Sequence, residues 1–237
     1  MDSLDLLVIA PHPDDAELGV GGTIAAHTSK GYRVGICDVT EGEMGTNGTP
    51  ETRKQESKRA AEILGVEVRD NLQIPDGFIR PTEENLAKTV ELLRKYRPNT
   101  VITINSDDDH PDHIYTSKLV SEAAHLAGLA KYPAQGERFR PENLFYFAAS
   151  RPKNPDIVVD ITEVYEQKMN SILAHRSQLG LAEDEDSHNT RLTHPSFLER
   201  IKARDRYMGY LGRCELAEGF MCDRIPGVKD LLSFGGV

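Results

Sequence analysis

The chain has 237 residues and a formal net charge of −10, from 38 acidic and 28 basic side chains. That sign argues against a surface that tracks nucleic-acid phosphates, and no apolar run reaches the roughly 18 residues a spanning helix needs. The opening Met1-Asp2-Ser3-Leu4-Asp5 carries acid where a secretory leader carries base, so a cytoplasmic protein is expected.

Strand-like apolar runs fall at Leu6–Ala10, 33–38, 67–71, Thr100–Ile104, 144–147 and 157–161. Helical patterns occupy about 18–30, 51–64, 83–96, 114–129, 162–176 and 196–210. Strands separated by helices of this length predict an α/β protein, a three-layer Rossmann-like fold with a mainly parallel sheet. Thr49 reads as an N-cap with Pro50 at the first helical position, and Gly31 and Gly65 as C-cap glycines. The length suits one domain over 1–237. The run Glu183-Asp184-Glu185-Asp186 reads as a solvated loop. Cys37, Cys214 and Cys222 are odd in number, widely spaced and without a Cys-x-x-Cys pair, so free thiols in a reducing compartment are expected.

Two segments stand apart. Ala10-Pro11-His12-Pro13-Asp14-Asp15-Ala16-Glu17 ends the first strand, and Asp107-Asp108-Asp109-His110-Pro111-Asp112-His113 follows the fourth. Acids after a strand commonly serve turns and helix caps. Two such clusters bearing histidine, both at strand C-termini, instead point to a metal site at the sheet edge where open α/β folds bind ligands. Two imidazoles and one carboxylate are the ligand set of a catalytic zinc with an open position, and a divalent cation offsets the accumulated negative charge. His12-x-Asp14 with a distant histidine also fits the iron triad of non-haem oxygenases; the second acid, Asp15, favours hydrolysis. A non-catalytic sugar- or metal-binding module is a third reading. Gly19-Val20-Gly21-Gly22 lacks the Gly-x-Gly-x-x-Gly spacing of a dinucleotide site.

Pro11-His12-Pro13-Asp14-Asp15-Ala16-Glu17 together with His110-Pro111-Asp112-His113 resembles the LmbE-like/PIG-L family of zinc-dependent de-N-acetylases. Thr40-Glu41-Gly42-Glu43, the Arg53 helix, Pro75-Asp76-Gly77 and His175-Arg176-Ser177-Gln178 look like further family blocks in family order. The compact length is most similar to the bacillithiol-biosynthesis deacetylases. The resemblance implies His12, Asp15 and His113 as ligands of zinc, with iron(II) an alternative, and Asp14 as general base. It implies His110 as proton carrier and oxyanion stabiliser, with Asp112 as its orienting partner. Arg53, Asp76 and Glu43 are expected to contact the sugar. Arg53 also falls in the first turn of its helix, where the macrodipole disfavours a cation unless a neighbour such as Glu56 or Ser57 partners it. Where the mycothiol branch has a tyrosine two residues before the histidine, this chain has Asp108. The implied reaction is hydrolysis of the N-acetyl group of an N-acetylglucosamine derivative, foremost N-acetylglucosaminyl malate, alternatively a chitooligosaccharide. The implied partners are a small-molecule substrate and further copies of the chain in a homo-oligomer, up to a hexamer, with neither nucleic acid nor membrane. Among the other histidines, His27 and His125 read as packing or surface residues, His175 as structural, and His194 as a pocket or subunit-contact candidate.

Overall fold

The computed structural model describes residues 3–151, 153–182 and 187–224, together with Gly227. The acidic run 183–186 lies outside the described residues.

β1 (Leu6–Ala10) and β2 (Val34–Asp38) are buried at every position, as expected of strands covered on both faces. Alternation then sends successive side chains of β1 to opposite layers. Leu7 and Ile9 pack with Leu86, Val90 and Leu93 of α3 (Glu83–Tyr96) and with Leu119 and Val120 of α4 (Pro111–Ala127). Leu6, Val8 and Ala10 pack with Ala16, Val20 and Ile24 of α1 (Asp15–Thr28) and Leu64 of α2 (Pro50–Leu64). Three layers follow.

The remaining strands are β3 (Val68–Asn71), β4 (Thr100–Ile104), β5 (Asn143–Phe147), β6 (Ile157–Asp160) and β7 (Ala217–Cys222), and the sheet order is β3-β2-β1-β4-β5-β7-β6. β1 through β5 run parallel. The chain builds outward from β1 to β3, then returns to place β4 on the other side of β1. That reversal leaves a crevice at the C-terminal ends of β1 and β4. Both histidine clusters sit there.

Local expectations hold at α2, where Thr49 Oγ1 accepts the Thr52 amide at 3.2 Å, Pro50 opens the helix and Gly65 takes a left-handed conformation at its end. Gly31 differs: it is left-handed two residues beyond the α1 C-cap, Ser29. Cys37, Cys214 and Cys222 are free thiols. No described helix is long and apolar enough to cross a membrane.

β7 was not among the expected strands, because Glu218 and Gly219 interrupt its apolar pattern. It pairs antiparallel with both β5 and β6. Glu218 faces inward for a reason found in α1, which breaks at Val20 (φ −141°, ψ 18°) and so exposes a second set of helix-start amides. The Glu218 carboxylate accepts from Gly22 N at 2.9 Å and Thr23 N at 2.7 Å. Lys168 of α5 (Tyr165–Leu173) joins this carboxylate at 2.7 Å to Asp205 of α6 (Phe197–Gly212) at 2.6 Å, and its side chain is fully buried. Lys168→Met would leave two buried carboxylates without their cation, so a loss of roughly 3–5 kcal/mol is expected in urea unfolding. An unchanged midpoint would contradict the role given to this cluster.

Candidate metal centre

α1 and α4 each begin three residues earlier than their apolar patterns suggest, at Asp15 and Pro111. The two motifs therefore form the entries and first turns of these helices, where side chains project over the strand ends. Asp14, at the α1 N-cap, has φ 138°, a conformation rarely taken by a residue with a Cβ. Arg53 holds it there. The buried guanidinium donates from Nη2 to Pro13 O at 2.8 Å and from Nη1 to Gly42 O at 2.9 Å, and Nη2 lies 3.4 Å from Asp14 Oδ2. Gly42 has φ 68°, and a Cβ there would overlap the Arg53 guanidinium. The Thr40–Glu43 block thus provides the glycine that seats the arginine.

Asp15 Oδ2 lies between two imidazoles, 3.1 Å from His12 Nδ1 and 3.4 Å from His113 Nε2. Donor atoms of these three residues all fall within 4.8 Å of one another. The outer nitrogen of each imidazole is backed by carboxylate. His12 Nε2 meets Asp76 Oδ1 at 3.2 Å and Asp112 Oδ2 at 3.4 Å; His113 Nδ1 lies 3.0 Å from Asp108 Oδ1. Ligating histidines are characteristically oriented by carboxylates in this way, so the residues fit a divalent cation. Burial opposes charge on His12, yet the carboxylates of Asp112, Asp15 and Asp76 outweigh it and raise its pKa well above the usual value. His113 is likewise raised, to about 9, by Asp15 and Asp108 against the effect of burial. Burial would raise Asp15, but His113 and His12 hold it well below the ordinary carboxylate range.

Asp14 differs from its neighbour. Burial pushes it up to about 6, with Arg53 opposing and Asp15 adding to the rise. The two adjacent acids are driven in opposite directions.

His110 is the N-cap of α4, and its Nδ1 accepts the Asp112 amide at 3.2 Å. In the neutral ring that bond places the proton on Nε2, leaving a donor free. Burial and the charges on His12 and His113 lower its pKa. The expected orienting role of Asp112 toward His110 is corrected here. Its backbone amide makes the hydrogen bond to His110, while its fully buried carboxylate faces His12, accepts Gly77 N at 2.7 Å and reaches His110 through its charge. The cause is helical geometry: at the second position of α4 the amide points back to the cap while the side chain turns into the sheet edge.

The other expected contacts divide. Asp76 lines the cleft, with Oδ2 accepting Met44 N at 3.1 Å. Glu43 is exposed and stands behind that turn, accepting Asp76 N at 2.8 Å, so its carboxylate is occupied with the loop. Arg53 lines the cleft but turns most of its fork toward backbone carbonyls. Its expected neighbour Glu56 binds Ser177 N and Oγ instead, both at 2.7 Å. The His175–Gln178 block braces the cleft, which Gln178 lines, with Gln178 Nε2 also donating to Asn47 O at 2.5 Å. His194 Nδ1 accepts Ser196 N at 3.2 Å at the entrance to α6. Asp108 was not expected as a site residue. The structure makes it the carboxylate behind His113, fixed by amides of His110 and Ser150 at 2.9 and 3.0 Å. Its place directly before the His110 motif was the available signal.

These groups open into a cleft of about 660 Å³, lined also by Leu192, Phe197 and Ile201. A His–Asp–His donor set at the switch point of a doubly wound sheet, with a second buried carboxylate beside it, is the arrangement of a candidate metal site in a hydrolase.

The PIG-L family model, described as GlcNAc-PI de-N-acetylase, matches residues 7–124. The chain is 33% identical over 189 residues to diacetylchitobiose deacetylase of Thermococcus kodakarensis, covering 75% of this chain and 71% of that protein. It is 30% identical to a probable N-acetyl-alpha-D-glucosaminyl L-malate deacetylase 2 of Bacillus cereus, covering 73% and 83%. A 4-oxalmesaconate hydratase of Pseudomonas putida is 28% identical over 70% of each chain. The crystal structure of a conserved protein from Thermus thermophilus superposes with a TM-score of 0.87 at 41% identity, covering 95% of this chain and 97% of that one. The chain belongs to the PIG-L family of de-N-acetylases.

Proposed function

We propose that the chain hydrolyses the N-acetyl group of an N-acetylglucosamine derivative at the His12–Asp15–His113 centre, with N-acetylglucosaminyl malate the first candidate substrate. The observation that carries this reading is the Asp15 carboxylate set between the imidazoles of His12 and His113, with a second buried carboxylate, Asp14, beside it. His12, Asp15 and His113 would hold the divalent cation, zinc or iron(II), which when bound would supply Lewis acidity to the acetyl carbonyl and lower the pKa of water to about 7.

Asp14 accepts the proton of the attacking water. An ordinary aspartate near ~3.9 would make this transfer uphill by roughly 4 kcal/mol, and the burial of Asp14, which raises its pKa, narrows that gap. His110 donates its Nε2–H to the carbonyl oxygen as that atom gains charge. Asp14, now protonated, returns the proton to the departing sugar amine. Asp112 and Asp108 hold the two imidazoles through their outer nitrogens, Arg53 fixes the backbone that carries Asp14, and Asp76 lies where sugar hydroxyls would enter.

The alternative substrate, an acetylated chitooligosaccharide, is favoured by the similarity to the Thermococcus enzyme. An iron oxygenase would use Asp14 as ligand, but Asp15 is the carboxylate between the imidazoles. A binding module needs neither Asp14 nor His110. Cytoplasmic location and assembly as a homo-oligomer belong to the same proposal. The test is acetate release from N-acetylglucosaminyl malate and from diacetylchitobiose, with and without chelator. Release abolished by chelation and restored by zinc or iron(II) is expected; release indifferent to chelator, or water addition to an unsaturated acid without acetate release, would overturn the reading.

A further inference from the structure

Three arginines line the cleft, and two of them are committed to the protein. Arg53 is buried on the carbonyls of Pro13 and Gly42 and beside Asp14. Arg204 is held by Asp205 Oδ1 at 3.1 Å and Leu18 O at 2.6 Å. Arg191 is exposed, and its bond is from Nη1 to the neutral Ser150 Oγ at 2.9 Å. Among the described residues it has no carboxylate partner, in a chain where acids outnumber bases 38 to 28.

Arg191 is nevertheless anchored to the metal centre. Ser150 N donates to Asp108 Oδ2 at 3.0 Å, and Asp108 Oδ1 lies 3.0 Å from His113 Nδ1. A short chain of contacts thus runs from the guanidinium to a proposed cation ligand and sets Arg191 on the cleft wall beside the reacting end. The inner wall, with Asp14, Asp15 and Asp76, is rich in acid and would repel an anionic substrate group. Arg191 offers the compensating charge, with a planar fork suited to a carboxylate or a phosphate.

We propose that Arg191 is the specificity-determining residue of the cleft and binds an anionic group, carboxylate or phosphate, carried on the aglycone of the N-acetylglucosamine substrate. This rests on the deacetylase reading above.

The test compares kcat/KM for acetate release from three conjugates: N-acetylglucosaminyl malate, N-acetylglucosamine 1-phosphate and the neutral methyl N-acetylglucosaminide. The metal-loaded enzyme is expected to favour at least one acidic conjugate, and the better of the two identifies the anion. Arg191→Ala is expected to lower kcat/KM on that conjugate roughly 10- to 100-fold, chiefly through KM, with a much smaller effect on the neutral one. Added salt narrows the wild-type preference. Arg191→Lys keeps part of it, since charge remains while the fork is lost. Equal losses on acidic and neutral conjugates, no loss on either, or a wild-type preference for the neutral conjugate would overturn the assignment while leaving the deacetylase reading intact. Absence of acetate release from all three would overturn both.

Discussion

Asp14→Asn is expected to lower kcat roughly 100- to 10,000-fold, the range associated with loss of a general base. Asparagine matches aspartate in shape and still accepts from Arg53, so the unusual backbone at φ 138° keeps its support. It cannot take a proton. The pH dependence carries a sign that follows from burial. Asp14 is raised to about 6, so its carboxylate is protonated below that value and activity falls as pH drops through it. A cation bound alongside pulls the group back down, which places the acid limb of kcat/KM at or below about pH 6. The residual activity of Asp14→Asn should lack this limb. A variant with near wild-type kcat, or one with an unchanged acid limb, would remove Asp14 from the role of base.

His110→Ala is expected to cost about 100- to 1,000-fold in kcat, as for removal of one oxyanion donor. The same ring caps α4, so alanine should also destabilise the fold by roughly 0.5–2 kcal/mol. His110→Ser separates the two effects. Serine caps a helix well but is too short to offer a donor where Nε2 stands, so stability is retained while turnover is lost. Melting temperature and kcat measured on both variants test this. Equal kcat in His110→Ser and the wild type would show that the ring acts only as a cap.

The site was legible in the sequence where it depended on position along a strand. Two strand-length runs, Leu6–Ala10 and Thr100–Ile104, each followed by a segment bearing His, Pro and Asp, fix the clusters at strand ends, and the parallel sheet then brings β1 and β4 side by side. What depended on the direction of individual side chains was not legible. Spacing cannot tell that Asp112 turns its carboxylate to His12 while its amide serves His110, nor that Asp108 stands behind His113. Arg53 was legible as misplaced for its helix dipole, yet its partners are carbonyls of distant loops that no local pattern marks. β7 escaped for a related reason: its inward glutamate makes sense only beside the broken α1 and the buried Lys168. For Asp112, Arg53 and Glu218 the polar group is explained by a partner far away in the chain.

The division between the two adjacent aspartates is the centre of this account, and metal content measured beside turnover tests it most directly. After loading with zinc and removal of the excess, Asp14→Asn is expected to retain the wild-type metal content and lose turnover, whereas Asp15→Ala loses both. An Asp14→Asn protein stripped of metal, or an Asp15→Ala protein that keeps its metal and its activity, would contradict it.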